Sequence, residues 1–137
     1  MKFNQLSSNR VLIADDDPVI RHLVATVVKQ EGCDVVLAND GREAYRILQT
    51  DSKFLAAILD ICMPFLEGLD LVQYMQSERR LRRIPVMIIT AEENIELVSK
   101  SFAAGAMVFL PKPFVPEQLE NATRMLLHSQ RMGRSAA

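Results

Sequence analysis

Apolar clusters of strand length recur at residues 11–14, 35–38, 55–59, 86–89 and 107–110 and predict five strands. The clusters at 11, 55 and 86 are nearly continuous in apolar residues instead of alternating, as in strands covered on both faces. They predict a parallel sheet. Helical periodicity fills the gaps, most clearly where Ile20, Leu23, Val24, Val27 and Val28 follow i, i+3, i+4, i+7, i+8. Asp17 and Pro18 supply that helix's N-cap and first position, and Gly32 its stop. A second helix has Asp40 as cap, Glu43 three residues on, and Ala44, Ile47 and Leu48 on one face. A third carries Leu69, Val72 and Met75. A fourth runs from about Ile95 through Val98 and Phe102 to Gly105, and the last from Pro116 through Leu119, Ala122 and Leu126.

Strand and helix therefore alternate five times, which predicts an α/β domain with a right-handed, doubly wound five-stranded parallel sheet of strand order 2-1-3-4-5. No stretch of low complexity divides the chain. The expected organisation is one domain over 10–128, between flexible ends at 1–9 and 129–137 that are polar or small in composition. In such sheets ligands bind at the carboxyl ends of the strands.

Composition narrows the partners. The 137 residues are 49% hydrophobic and 24% charged, ordinary for one globular core, and 16 basic against 17 acidic residues leave a formal charge of -1. No global field draws the chain to nucleic acid or to an anionic membrane, so direct binding to either is not expected. Its apolar stretches are too short to span a bilayer, and polar Asn4, Gln5, Ser7, Ser8 and Asn9 argue against a secretory signal. A cytoplasmic location follows. Cys33 and Cys62 lack metal-type spacing and are expected as two thiols.

The chemistry gathers at the strand ends. Strand one ends in Asp15, Asp16 and Asp17, strand three in Asp60, strand four in Thr90, and strand five runs into Lys112. Strands one and three are neighbours in the predicted order, so at least three carboxylates converge. Like charges about 5 Å apart repel by about 3 kcal/mol at an effective dielectric near 20, so a positive group belongs there. Carboxylate oxygens without nearby His or Cys ligands suit Mg²⁺, which takes one or two carboxylates and completes its shell with water and phosphate oxygens. Asp60 can attack a phosphoryl group, Lys112 can hold its oxygens, and the Thr90 hydroxyl can donate to one of them.

Across roughly residues 10–128 the chain resembles the receiver domains of bacterial response regulators, which have a flavodoxin-like fold. The resemblance rests on V-L-I-A-D-D-D-P at 11–18, I-L-D-I-C-M-P-F-L-E-G-L-D-L at 58–71, V-M-I-I-T-A at 86–91 and A-G-A-M-V-F-L-P-K-P-F at 104–114. It implies that Asp15 and Asp16 are the acidic pair, Asp16 the more direct metal ligand, and that Asp60 is the phosphoacceptor and a further ligand, with the Cys62 backbone carbonyl beside it. It further implies a histidine kinase or phosphotransfer protein as phosphodonor, docked near the first helix, and a protein that catalyses only its own modification. On phosphorylation Thr90 would be drawn inward and Phe109 would turn, changing the face of the fourth helix, fifth strand and fifth helix that a downstream partner, an output domain or a second copy could read. Lys112-Pro113 is the expected cis bond.

Some positions depart from the family pattern. Phe65 stands where Gly is common, Phe109 lacks the hydroxyl of the usual Tyr, and Val115 replaces a polar cap, leaving the first amides of the last helix to other partners. Cys62 and Glu92 occupy positions that in this family influence how fast the phosphoryl group is lost. Asp17 reads as a helix cap only. Arg79, Arg80, Arg82 and Arg83 read as a solvated loop at the opposite rim, and Glu92, Glu93 and Glu96 as complements to a helix dipole. His22 and His128 are scattered on helices, and a phosphohistidine relay through either is not expected. A flavin-binding relative of the same fold is disfavoured because Asp-Asp-Asp-Pro would repel a flavin phosphate. The remaining alternative is a degenerate receiver acting as a phosphorylation-independent interaction module. With only 129–137 after the last helix, the chain reads as a stand-alone regulator or a piece of a longer protein.

Overall fold

The computed structural model describes residues 9–91 and 95–136, of which 129–136 by backbone alone. Its elements are β1 (Arg10–Ala14), α1 (Pro18–Gln30), β2 (Asp34–Ala38), α2 (Gly41–Thr50), β3 (Ala56–Leu59), α3 (Gly68–Ser77), β4 (Val86–Thr90), α4 (Ile95–Ala104), β5 (Val108–Pro111) and α5 (Pro116–Ala136). The strands form one parallel sheet in the order β2-β1-β3-β4-β5, as the apolar runs predict. β3 and β4 are buried along their whole length, whereas the edge strand β2 is largely half-exposed.

Side chains alternate across this sheet and build two separate cores. Leu12, Ala14, Leu59 and Ile88 pack with Leu48 of α2 and Leu71, Val72 and Met75 of α3. Val11, Ile13, Ile58 and Ile89 pack on the other face with Val24, Val27 and Val28 of α1 and Leu119, Leu126 and Leu127 of α5. Each fully buried Leu or Ile contributes about 1.5–3 kcal/mol, so both helical layers are tied to the strands that carry the acidic residues.

Helix ends follow the sequence signals. Asp17 accepts from the amides of Val19 and Ile20, Pro18 opens α1, and Gly32 leaves it with φ +89°. Asp40 accepts from the Glu43 amide at 2.9 Å. At α5 the missing polar cap is replaced from within: the Gln118 side chain accepts from the Val115 amide at 2.9 Å, and Pro116 has no amide to satisfy.

Four expectations change. The C-terminal segment, expected to leave the last helix near residue 128, continues it to Ala136; no proline interrupts it, and Gln, Arg and Met favour helix. Asn9, placed in a flexible N-terminal segment, is tied to the fold, its carbonyl accepting from the Asp34 amide at 3.0 Å. In α3 the buried face takes Leu71 with Val72 and Met75, while Leu69 is half-buried. β5 starts at Val108, leaving Met107 half-exposed before it. The rest of the N-terminal segment (1–8), Glu92, Glu93 and Ala137 lie outside the described residues. Among the described residues no helix is long and apolar enough to cross a membrane.

Candidate functional site

Strand register brings the acidic residues together. Ala14 of β1 pairs with Leu59 of β3, and the ladder continues one residue further as the Asp60 amide donates to the Ala14 carbonyl at 3.0 Å. Asp15 and Asp60 therefore leave neighbouring strands side by side. Ligand oxygens of Asp15, Asp16 and Asp60 all lie within 4.8 Å of one another. Asp15 and Asp60 are buried and Asp16 is exposed.

The positive group that electrostatics demands is present within the chain. Lys112 Nζ lies 3.0 Å from Asp15 Oδ2 and 3.0 Å from Asp60 Oδ2. It reaches them because β5 runs beside β4: the Lys112 amide donates to the Thr90 carbonyl at 2.9 Å, and the Lys112-Pro113 bond is cis, as expected. Burial lifts the Asp15 carboxyl above the ordinary carboxylate range; the Asp60 charge adds to this, against the Asp17 amide and the Lys112 ammonium. At Lys112 burial works against the charge, but the carboxylates of Asp60 and Asp15 outweigh it and hold the ammonium above its usual pKa. The directions are compatible: Lys112 has two carboxylates to itself, whereas Asp15 shares one cation with a like-charged neighbour.

Backbone donors orient the carboxylates. The Asp17 amide donates to Asp15 Oδ1 at 2.9 Å and the Cys62 amide to Asp60 Oδ1 at 3.2 Å. The exposed Cys62 thiol and the buried Cys33 thiol lie in different parts of the fold. Thr90 is buried at the end of β4. Phe109 is half-buried in β5, edge-on to Phe102 of α4 with centroids 6.4 Å apart. Three carboxylates, with no imidazole or thiolate among the grouped ligands, make a hard-oxygen donor set that fits Mg²⁺ better than a softer metal.

Three features escaped the sequence reading. Arg21 Nη1 donates to the Asp15 carbonyl at 2.7 Å, buttressing the acidic turn from α1. Gly68 approaches the acceptor so closely that a Cβ there would stand 2.2 Å from the Asp60 carbonyl oxygen. Phe65 has φ 73°, and the Arg42 guanidinium lies over its ring, 3.9 Å from the centroid. A positive φ in a bulky residue costs about 1–3 kcal/mol, which explains physically why glycine is the easier residue there. Gly68 was visible as a letter, but its close approach to the Asp60 carbonyl is a property of the folded loop.

The arginine cluster lies at the other end of the sheet, in the turn between α3 and β4, as the sequence predicts. Leu81 and Ile84 are buried there, while Arg79, Arg80, Arg82 and Arg83 are exposed.

Residues 11–124 match the description of the response regulator receiver domain family. The chain is 35% identical over 118 residues to "Response regulator MprA" of Mycolicibacterium vanbaalenii, covering 86% of this chain and 50% of that protein. It is 31% identical over 119 residues to "Chemotaxis protein CheY1" of Helicobacter pylori, covering 86% and 96%. The crystal structure of a CheY-like response regulator receiver domain protein from Methanospirillum hungatei superposes with a TM-score of 0.83 at 27% identity, covering 93% and 99%. The same doubly wound fold is thus met again in a CheY-like response regulator receiver domain protein. The chain belongs to the response regulator receiver domain family of two-component signalling. It spans about half the length of the MprA relatives it matches.

Proposed function

We propose that this receiver accepts a phosphoryl group on Asp60 from a phosphohistidine of a histidine kinase or phosphotransfer protein. An Asp60 oxygen attacks phosphorus as the P–N bond breaks, and the imidazole leaves with the electron pair and takes up a proton. The observation that carries this reading is Lys112 within 3.0 Å of both Asp60 and Asp15. Its ammonium already sits where the charge of an incoming phosphoryl group must be met, and Thr90 supplies a hydroxyl donor at the neighbouring strand end. Asp15, Asp16 and Asp60, with the Cys62 carbonyl, would hold Mg²⁺. The ion would supply positive charge to the phosphoryl oxygens.

Once modified, Asp60 recruits Thr90 and Phe109 and changes the face of α4, β5 and α5, which a downstream protein, an output domain or a second copy reads. The phosphodonor docks near the first turn of α1. The protein modifies and demodifies itself and turns over no external substrate. It works in the cytoplasm.

Intact-mass measurement after incubation with Mg²⁺ and acetyl phosphate tests the reading. Wild type should gain one phosphoryl group, and Asp60→Asn or a chelator should abolish the gain. Wild type that binds metal yet gains nothing, with phosphoramidate as well, would make the chain a phosphorylation-independent interaction module.

A further inference from the structure

Phe65 joins two properties that are hard to reconcile in a loop residue. Its φ of 73° belongs to the region that favours glycine, and the residue is 72% exposed, so burial does little to hold it there. The Arg42 guanidinium, 3.9 Å from the ring centroid, lies well within the range of a cation–π contact. The preceding residue presses on the same loop: a Cβ on Gly41 would stand 1.6 Å from the Leu66 carbonyl oxygen. Consecutive residues at the start of α2 thus engage consecutive residues of the segment between β3 and α3.

That segment also carries the donor that orients the acceptor. It begins with Cys62, whose amide bonds Asp60 Oδ1 at 3.2 Å, and closes at Gly68, whose amide donates to the Ile61 carbonyl at 2.8 Å. Both ends are held at Asp60 and Ile61. The middle leans on Gly41 and Arg42. We propose that Arg42 and Phe65 form a latch between α2 and the acceptor loop, fixing the Cys62 amide and through it the Asp60 carboxylate. Both are positioning residues. The proposal rests on Asp60 being the acceptor only for its consequence in phosphoryl uptake; the latch itself is a property of the metal-free protein.

The test compares wild type, Arg42→Gln, Arg42→Lys, Phe65→Ala and the Arg42→Gln/Phe65→Ala double variant. Hydrogen exchange at the Leu66 and Gly68 amides is followed in metal-free protein, beside the initial rate of phosphoryl uptake from acetyl phosphate with Mg²⁺. Arg42→Gln and Phe65→Ala should each speed exchange at these amides by about two- to fivefold. The double variant should go no further than either single, and Arg42→Lys should keep most of the protection. Exchange in β4 should stay unchanged, which separates the latch from a general loss of stability, and uptake should slow in the same variants. Unchanged loop exchange in the singles, or additive effects in the double, would overturn the latch. If wild type takes up no phosphoryl group, the acceptor reading fails while the exchange comparison still decides on the latch.

Discussion

The two ends of the sheet treat charge in opposite ways. At the carboxyl end, Asp15 and Asp60 are buried around one lysine, and an exposed Asp16 adds a third carboxylate nearby. At the amino end, four arginines crowd one turn, yet they stand in water while Leu81 and Ile84 anchor the turn to the core. Both look like charge runs in sequence. Burial separates them: solvated like charges cost little, whereas desolvated ones oppose folding and persist where a ligand offsets them.

The largest expected break in this contrast is steric. Gly68→Ala would drive a methyl into the Asp60 carbonyl and should destabilise the domain by about 3 kcal/mol in chemical denaturation. A native-like midpoint would mean that the loop can retreat from the acceptor.

Asp15→Asn comes next, with the opposite sign. Because the folded Asp15 pKa is raised, the stability it contributes is present below the unfolded value of about 4 and is lost as pH rises through the folded value. Without divalent metal the variant should therefore be more stable than wild type near pH 7.5. The gain should disappear near pH 4, and Mg²⁺ should stabilise wild type more than the variant. Thermal melts across pH, with and without Mg²⁺, check all three outcomes.

Asp51, at the amino end, titrates the other way. Its hydrogen bond to Arg10 at 2.8 Å outweighs partial burial and holds the pKa below the ordinary value. Its contribution is present above about pH 4 and lost as pH falls through the folded value. Asp51→Asn should cost about 0.5 kcal/mol at neutral pH, since both partners remain partly exposed, and nothing once Asp51 is protonated. Smallest of all, Arg79→Ala and Arg83→Ala should each move stability by less than about 0.5 kcal/mol. A larger change in either would mean that the arginine turn does more than stay in solution.

The fold was legible because its signals are local. Continuous apolar runs marked β1, β3 and β4, Asp17-Pro18 marked the start of α1, and chain order placed Asp15, Asp60, Thr90 and Lys112 at strand ends. What stayed hidden is contact geometry. Arg42 over Phe65, Arg21 on the Asp15 carbonyl and Gly68 against Asp60 depend on how α1, α2 and the acceptor loop pack, and no periodic pattern announces them. Lys112 was expected to hold phosphoryl oxygens; that it also joins Asp15 to Asp60 required distances. The extended α5 was missed for another reason: small and polar residues near a chain end look like a tail even when nothing in them stops a helix.

Helix α4 is moored differently from its neighbours. α1 sinks Val24, Ala25, Val27 and Val28 into its core, but among the described residues of α4 only Ser101 is fully buried, and its hydroxyl donates to the Leu97 carbonyl within the same helix. Mechanically, α4 is a soft spring beside stiff ones. Local opening of so shallow an element needs far less free energy than unfolding the domain. A few charge-assisted hydrogen bonds made or broken at the strand ends, worth about 1.5–3 kcal/mol each, are on the scale that moves such an element while leaving the packing beneath α1 and α5 undisturbed.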